Sequence, residues 1–408
     1  MTEEALITEL TERTSHLCAD RIVLAIQDTS EINLSAHQHR LKADSGVGRL
    51  DSAKPTIGFK LHPTLVVDAQ SLHPLGFASL DLWHRPIDMP DRKERHYQSL
   101  KIEDKESYKW IRASNRTKEV LHQAKQVIII QDREGDIYDQ LSTVPDEKHH
   151  LIIRSKANRN LTEGGLLWDT LSQTESSGAY QIKIEGDSRK KVTKRNATIE
   201  VRFLKTSIKR STSAGKNTAR STPVYAVEAR EINSNAANPI VWRLITSYPV
   251  SSYADACMIV QWYSCRWLIE QLFRLLKHKG FNIEASELEQ GWSIRKLCIL
   301  TLSSILKIIQ MRLSYEAEEG QDINDVFTET EQQCLNDLNN KLASPTLKQS
   351  NPFDKTKLNW ATWIISRIGG WKGYASQRCA GLITMRDGLE RFYLIYEGWT
   401  LARDVGTR

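Results

Sequence analysis

Three short runs of this chain are apolar over strand length, and each ends on a charged residue. Arg21 to Asp28 reads Arg-Ile-Val-Leu-Ala-Ile-Gln-Asp, Val127 to Asp132 reads Val-Ile-Ile-Ile-Gln-Asp, and His150 to Arg154 reads His-Leu-Ile-Ile-Arg. Strands covered on both faces have this near-continuous pattern, whereas strands with one wet face alternate. Ile57 to Ala69 and Leu75 to Trp83 are further strand candidates, joined by a turn at His73-Pro74. Lys105 to Gln123 reads as a helix that turns Trp110, Ile111 and Val120 inward. Strands interleaved with helices in this order describe an α/β fold, a mixed sheet with flanking helices. On such sheets functional groups sit where strands end, which directs attention to Asp28 and Asp132.

Roughly 140 residues separate Asp132 from the next candidate acid, Glu270, far more than a loop holds. Tyr180 to Glu185, Ala197 to Ile208 and Pro223 to Glu231 alternate apolar and polar residues, as half-solvated antiparallel strands do. Basic, Ser-rich connections such as Arg189 to Arg195 and Lys209 to Arg220 link them. This β-rich stretch, 157–238, interrupts a core whose first part is 1–156 and whose second part, 239–315, returns to the sheet at Ile240 to Thr246. A long apolar helix is expected over Ile294 to Leu313, followed by a mobile acidic segment, Glu316 to Glu331. Residues 316–408 form a C-terminal helical region rich in aromatics, among them Trp360, Trp363, Trp371 and Trp399.

Gln261 to Lys277 contains neither Pro nor Gly and reads as one helix. Leu268, Ile269, Leu272, Leu275 and Leu276 fall on one side of it. Tyr263, Arg266, Trp267, Glu270, Arg274 and Lys277 share an arc of about 100° on the other. One carboxylate among three cations and a phenol suits the joint holding of a metal ion and phosphates; a solvated face with one Arg266–Glu270 pair fits the same residues. A formal net charge of +6 is compatible with a polyanionic partner. The six cysteines are scattered without metal-ligand spacing, as in a reduced cytoplasmic protein. The N-terminus lacks an apolar signal region, and the longest apolar stretch, Leu297 to Ile309, is too short for a membrane span.

The spacing Tyr-x2-Arg-x3-Glu-x6-Lys, met here by Tyr263, Arg266, Glu270 and Lys277, resembles the signature of bacterial DDE transposases of the insertion-sequence-four family. Gln-Asp-Thr at 27–29 and Asp-Arg-Glu-Gly-Asp-Ile at 132–137 are similar to that family's first and second acidic motifs. The resemblance implies a ribonuclease H-like core with a catalytic triad of Asp28, Asp132 and Glu270. Oxygen-only sites of this kind select Mg²⁺ or Mn²⁺, here two ions about 4 Å apart. Each aspartate taken alone also fits a turn or cap, Asp132 as the N-cap of a helix beginning near Glu134. The resemblance further implies DNA contacts from Tyr263, Arg266, Lys277, Arg154, Lys156 and Arg159, with Arg274 beside them on the helix face. Trp242 resembles the tryptophan on which a flipped-out base stacks; a core aromatic in a strand fits it equally. Arg154 and Lys156 also fit an ordinary solvated strand end.

The expected function is cut-and-paste DNA transposition by metal-dependent phosphoryl transfer, with 3′-end hydrolysis and strand transfer. The partners are double-stranded DNA, both transposon ends and target, and a second copy of the chain in a synaptic dimer, with no membrane. Family members carry some tens of residues before the first catalytic strand, forming a helical domain that reads the element's end; here Met1 precedes Asp28 too closely for that. The expectation is therefore a truncated or internally initiated form, or one whose missing part is encoded elsewhere. Its alternative role is a non-catalytic regulator that inhibits transposition through mixed dimers.

Overall fold

The computed structural model describes residues 1–408 apart from 43, 52–55, 89–99, 185–192, 213, 216–217, 279, 318–319, 343–349, 375–377 and 407–408. Part of the basic connection expected from Arg189 onward, 189–192, therefore lies outside the described residues. The fold is mixed α/β, built on one large mixed sheet with helices on both faces. Its first strands are β1 (Ile22–Gln27), β2 (Ser30–Asn33), β3 (Gly48–Arg49), β4 (Ile57–Asp68) and β5 (Pro74–Trp83). β6 (Gln126–Gln131) and β7 (His149–Arg154) follow, then β8 (Gly178–Ile184), β9 (Arg195–Lys209), β10 (Ser221–Ile232) and β11 (Val241–Thr246). The hydrogen-bonded order is β2-β4-β1-β6-β7-β11-β10-β9-β8, with β3 and β5 also paired to β4.

β4 and β5 form an antiparallel hairpin, β4 runs antiparallel to β1, and β1, β6 and β7 are mutually parallel. The parallel trio is buried on both faces, which accounts for the unbroken Val, Ile and Leu runs in the sequence. Period-two alternation sends successive side chains into different layers. Leu24, Ile26, Ile128, Ile130 and Ile152 pack in one core with residues of α5 (Tyr253–Ser264), α6 (Trp267–Lys277) and α7 (Gly291–Glu316). Val23, Ala25, Val127, Ile129, Leu151 and Ile153 pack in the other, beneath α2 (Lys109–Val120), α3 (Tyr138–Thr143) and α4 (Leu167–Gln173). The alternating strands β8, β9 and β10 do not form a separate sheet: β10 pairs with β11 and β11 with β7, so they extend the main one.

Two expectations about helices are corrected. The helix expected over 261–277 is two helices, α5 and α6, divided at Cys265 and Arg266. Across the division the backbone winds through i→i+3 bonds, Cys265 N–H to Trp262 O and Arg266 N–H to Tyr263 O among them. This tighter winding carries Arg266 over Tyr263, because side chains three apart eclipse in a 3₁₀ turn. The acidic segment after residue 316 is not loose where it is described. Ile323, Val326 and Phe327 are buried, and with α8 (Glu329–Leu342), α9 (Leu358–Ile368) and α10 (Leu382–Gly406) they form a third core against α7. α7 meets the length and composition of a membrane span, but Ile294, Cys298, Ile299, Leu302 and Ile305 on it lie buried inside the protein.

Candidate active site

The pairing register brings the strand-end residues together. Ile26 lies opposite Ile130 in the parallel pair β1–β6, an offset that carried onward sets Gln27 beside Gln131 and Asp28 beside Asp132. Gln131 lies opposite Ile153 in β6–β7, so Asp132 is followed laterally by Arg154. Adjacent strands are about 4.8 Å apart. Asp28 has the parity of Leu24 and Ile26, and Asp132 that of Ile128 and Ile130, so both side chains leave the sheet on the face covered by α5 and α6. Arg154, in step with Ile152, leaves on that face too.

From the helical side Arg266 reaches this row. Its Nη1 donates to Asp28 Oδ2 at 2.8 Å, and its Nη2 donates to Glu270 Oε1 one turn further along. The guanidinium thus joins the first aspartate to the helical glutamate. Burial pushes the Asp28 carboxyl up to about 6, and the neighbouring negative charges of Asp132 and Glu270 push the same way, against Arg266 and the Thr29 N–H. Asp132 also caps the turn that follows it, Oδ1 accepting from Glu134 N–H at 2.8 Å, so its capping role is real and leaves its second oxygen available. Among the described residues no three acidic, His or Cys side chains close on a single ion position as they stand. The donor chemistry nevertheless fits a hard divalent cation: oxygen-only ligands, an Asp28 carboxyl raised by burial and by neighbouring acids, and a guanidinium lying between two of the three carboxylates.

The remaining candidates divide. Tyr263 is only 3% exposed and packs edge-on against the half-buried Trp242, ring centroids 5.3 Å apart, which joins α5 to β11. Its phenol sits close to Arg154, Arg266 and Asp132. Arg154 is half-buried, and burial together with the nearby Arg133 and Arg266 cations holds its guanidinium below the usual range. Lys156 is exposed. Arg159 is not free to meet a partner: its Nε donates to Asp136 Oδ1 at 2.9 Å and its Nη2 to Asp136 O at 2.7 Å. Asp136 in turn accepts the backbone N–H of Lys156 at 2.7 Å, so this pair fastens the loop after β7 to the turn after Asp132. On α6, Arg274 is half-buried, and Lys277 lies 3.8 Å from Glu284.

Two features near the site went unread in the sequence. His62 is fully buried, with Nδ1 2.8 Å from the Thr29 hydroxyl and its ring edge-on to Trp110; burial and the Lys109 and Arg112 cations hold it well below its usual range, hence neutral. The second is a buried glutamine pair directly before the two aspartates. Its signal was the repeated Gln-Asp ending of the two strand runs.

Comparison with known protein families now bears on this geometry. Residues 111–306 match the family model described as the transposase DDE domain. The matched span is just under half of the chain. The match contains Asp132, Tyr263, Arg266, Glu270 and Lys277 and begins after Asp28. Among solved structures, the cryo-EM structure of a piggyBac transposase synaptic complex with hairpin DNA aligns at a TM-score of 0.32 and 8% identity, over 78% of this chain. The chain spans 64% of the length of that protein. A likeness at this level does not argue for a shared fold.

Proposed function

We propose that this chain is a metal-dependent DNA transposase of the insertion-sequence-four type, which cuts and joins DNA with Asp28, Asp132 and Glu270 as its catalytic carboxylates. The observation that carries the reading is the Arg266 guanidinium bonded to both Asp28 and Glu270 while Asp132 stands on the neighbouring strand. The strand order β5-β4-β1-β6-β7, two antiparallel followed by three parallel, supports a ribonuclease H-like core over 1–156 and 239–315. On this reading 157–238 is an insertion that widens the sheet, and 316–408 is the region through which two copies meet.

The three carboxylates would hold Mg²⁺ or Mn²⁺, two ions that lower the pKa of a water or 3′-hydroxyl and stabilise the leaving oxygen of an in-line displacement. Asp132 keeps one oxygen on the Glu134 N–H and offers the other. Arg266 withdraws from the carboxylates and presents its planar fork to a DNA phosphate at the mouth of the site. Arg154, Lys156, Arg274 and Lys277 line the same side with positive charge, and Trp242 and Tyr263 supply a firm aromatic floor. The DNA partners are the transposon ends and the target duplex, gripped by a homodimer. The test is strand joining with precut ends in Mg²⁺. Glu270→Gln is expected to reduce joining to background with DNA binding retained; unchanged joining would remove Glu270 from the chemistry.

A further inference from the structure

Beneath the two aspartates, on the opposite face of the sheet, the apolar core is broken by a chain of buried amides. Gln27, Gln131 and Gln140 are each 0% exposed. Gln131 Nε2 donates to Gln27 Oε1 at 2.7 Å, across the parallel pair β1–β6. Gln140 Nε2, from α3, donates both to Gln131 Oε1 and to Gly135 O, the latter at 3.1 Å. Ser114 Oγ, from α2, lies 3.4 Å from the Nε2 of Gln27 and of Gln131 and is itself anchored on Trp110 O at 2.8 Å. Gly135 stands in the turn that Asp132 caps, and a Cβ there would come within 2.3 Å of Gln131 Oε1. The turn therefore rests directly on the Gln131 amide.

A buried amide costs free energy unless its polar atoms are paired, and an aliphatic pair would fill these positions without that demand. The runs Val-Leu-Ala-Ile and Val-Ile-Ile-Ile show that the surrounding layer is otherwise aliphatic. What the amide pair adds is direction. Strand pairing sets the residues beside one another, but a hydrogen bond between side chains also restricts the twist and slide of the two strand ends. Each glutamine immediately precedes an aspartate, so its Cα sits one residue from the carboxylate carrier.

We infer that Gln27 and Gln131 are positioning residues, locked amide to amide, which hold Asp28 and Asp132 at the separation the shared cation site requires. Gln140 and Ser114 brace the pair from α3 and α2. The inference rests on the proposed reading of the site, and its test keeps the two apart.

Mn²⁺ affinity of the whole chain is measured by electron paramagnetic resonance for wild type, Asp28→Asn, the double variant Gln27→Leu/Gln131→Leu, and Gln131→Asn, with thermal melts of each. Removing both amides together leaves neither member of the pair facing the other unpaired, and Gln140 Nε2 keeps its bond to Gly135 O; Gln131→Asn keeps the core polar while drawing the amide back by one methylene. Asp28→Asn is expected to abolish high-affinity binding. The double variant and Gln131→Asn are expected to fold and to bind Mn²⁺ roughly ten- to a hundredfold more weakly, the usual effect of disturbing groups that orient metal ligands. Joining rate per folded molecule should fall with them while DNA affinity holds. If Asp28→Asn abolishes binding but folded variants of the glutamines bind Mn²⁺ as wild type does, the positioning role is overturned and the site stands. If Asp28→Asn leaves Mn²⁺ affinity unchanged, the site reading is overturned, and this inference with it.

Discussion

At the scale of single residues, the site is a contest between negative charges and one guanidinium. Asp28 is the clearest case, because its carboxyl is raised to about 6 by burial first and by Asp132 and Glu270 next. A carboxyl raised in the folded state stabilises the protein fully below its ordinary pKa, and the contribution is lost as pH rises through about 6. Asp28→Asn should therefore melt higher than wild type at pH 7.5 without divalent metal, by about 1–3 kcal/mol, and show little difference at pH 4. Melts at the two pH values check this; a pH-independent difference would contradict it. Mn²⁺ affinity at low metal concentration should show the opposite trend and rise as pH passes about 6, because proton and cation compete for Asp28. Arg266→Met removes the cation that joins Asp28 to Glu270. That variant should lose about 1–3 kcal/mol of stability in metal-free buffer and gain more melting temperature from added Mg²⁺ than wild type gains. Equal gains would mean that Arg266 and the metal do not share a place.

At the scale of elements, the central device is the loop after β7 tied to the turn after β6 by Asp136 and Arg159. The Asp136 side chain is 0% exposed and its partner 12%, so removing one leaves the other buried and unpaired. Arg159→Ala should cost about 3–5 kcal/mol in urea denaturation, and Arg159→Lys should restore only part of it, since the bonds to Asp136 use the planar fork. A loss under 1 kcal/mol in Arg159→Ala would instead place this arginine at the surface, as a DNA contact. This pair also illustrates what the sequence conveyed and withheld. The strands were legible because a doubly covered strand writes itself as an unbroken aliphatic run, and the face of Leu268 to Leu276 because a core-facing helix writes itself at period 3.6. The division at Cys265 and Arg266 was not legible: no Gly or Pro marks it, and Arg266 is bonded to Asp28, far away in sequence. Arg159 was expected at DNA through the resemblance, and a sequence shows its charge while hiding Asp136, the partner that neutralises it. Trp242 was open between two roles, and the structure sets its ring against Tyr263.

At the scale of the whole molecule, α7 is the spine shared by two cores. One side of it faces the sheet, and Ile308 and Met311 enter the third core with Phe327, Trp363 and Phe392. Further ties cross the layers: Arg13 donates to Val326 O at 2.8 Å, Arg21 pairs with Asp325 at 3.0 Å, and Arg295 pairs with Glu3 at 2.8 Å. The C-terminal helices are thus coupled to the strand that ends in Asp28. Phe392→Ala should cost about 3–5 kcal/mol and lower one shared melting transition in calorimetry; a separate, earlier transition would show that the layers unfold independently. The claim on which the functional account depends is that two strand-end aspartates and one helical glutamate serve a common cation. The most direct measurement is anomalous scattering from a crystal of the protein soaked in Mn²⁺. The account predicts a peak bounded by the carboxylates of Asp28, Asp132 and Glu270, with Arg266 turned away from both acids it now joins. A peak elsewhere, or no peak with Arg266 still bridging Asp28 and Glu270, would contradict it.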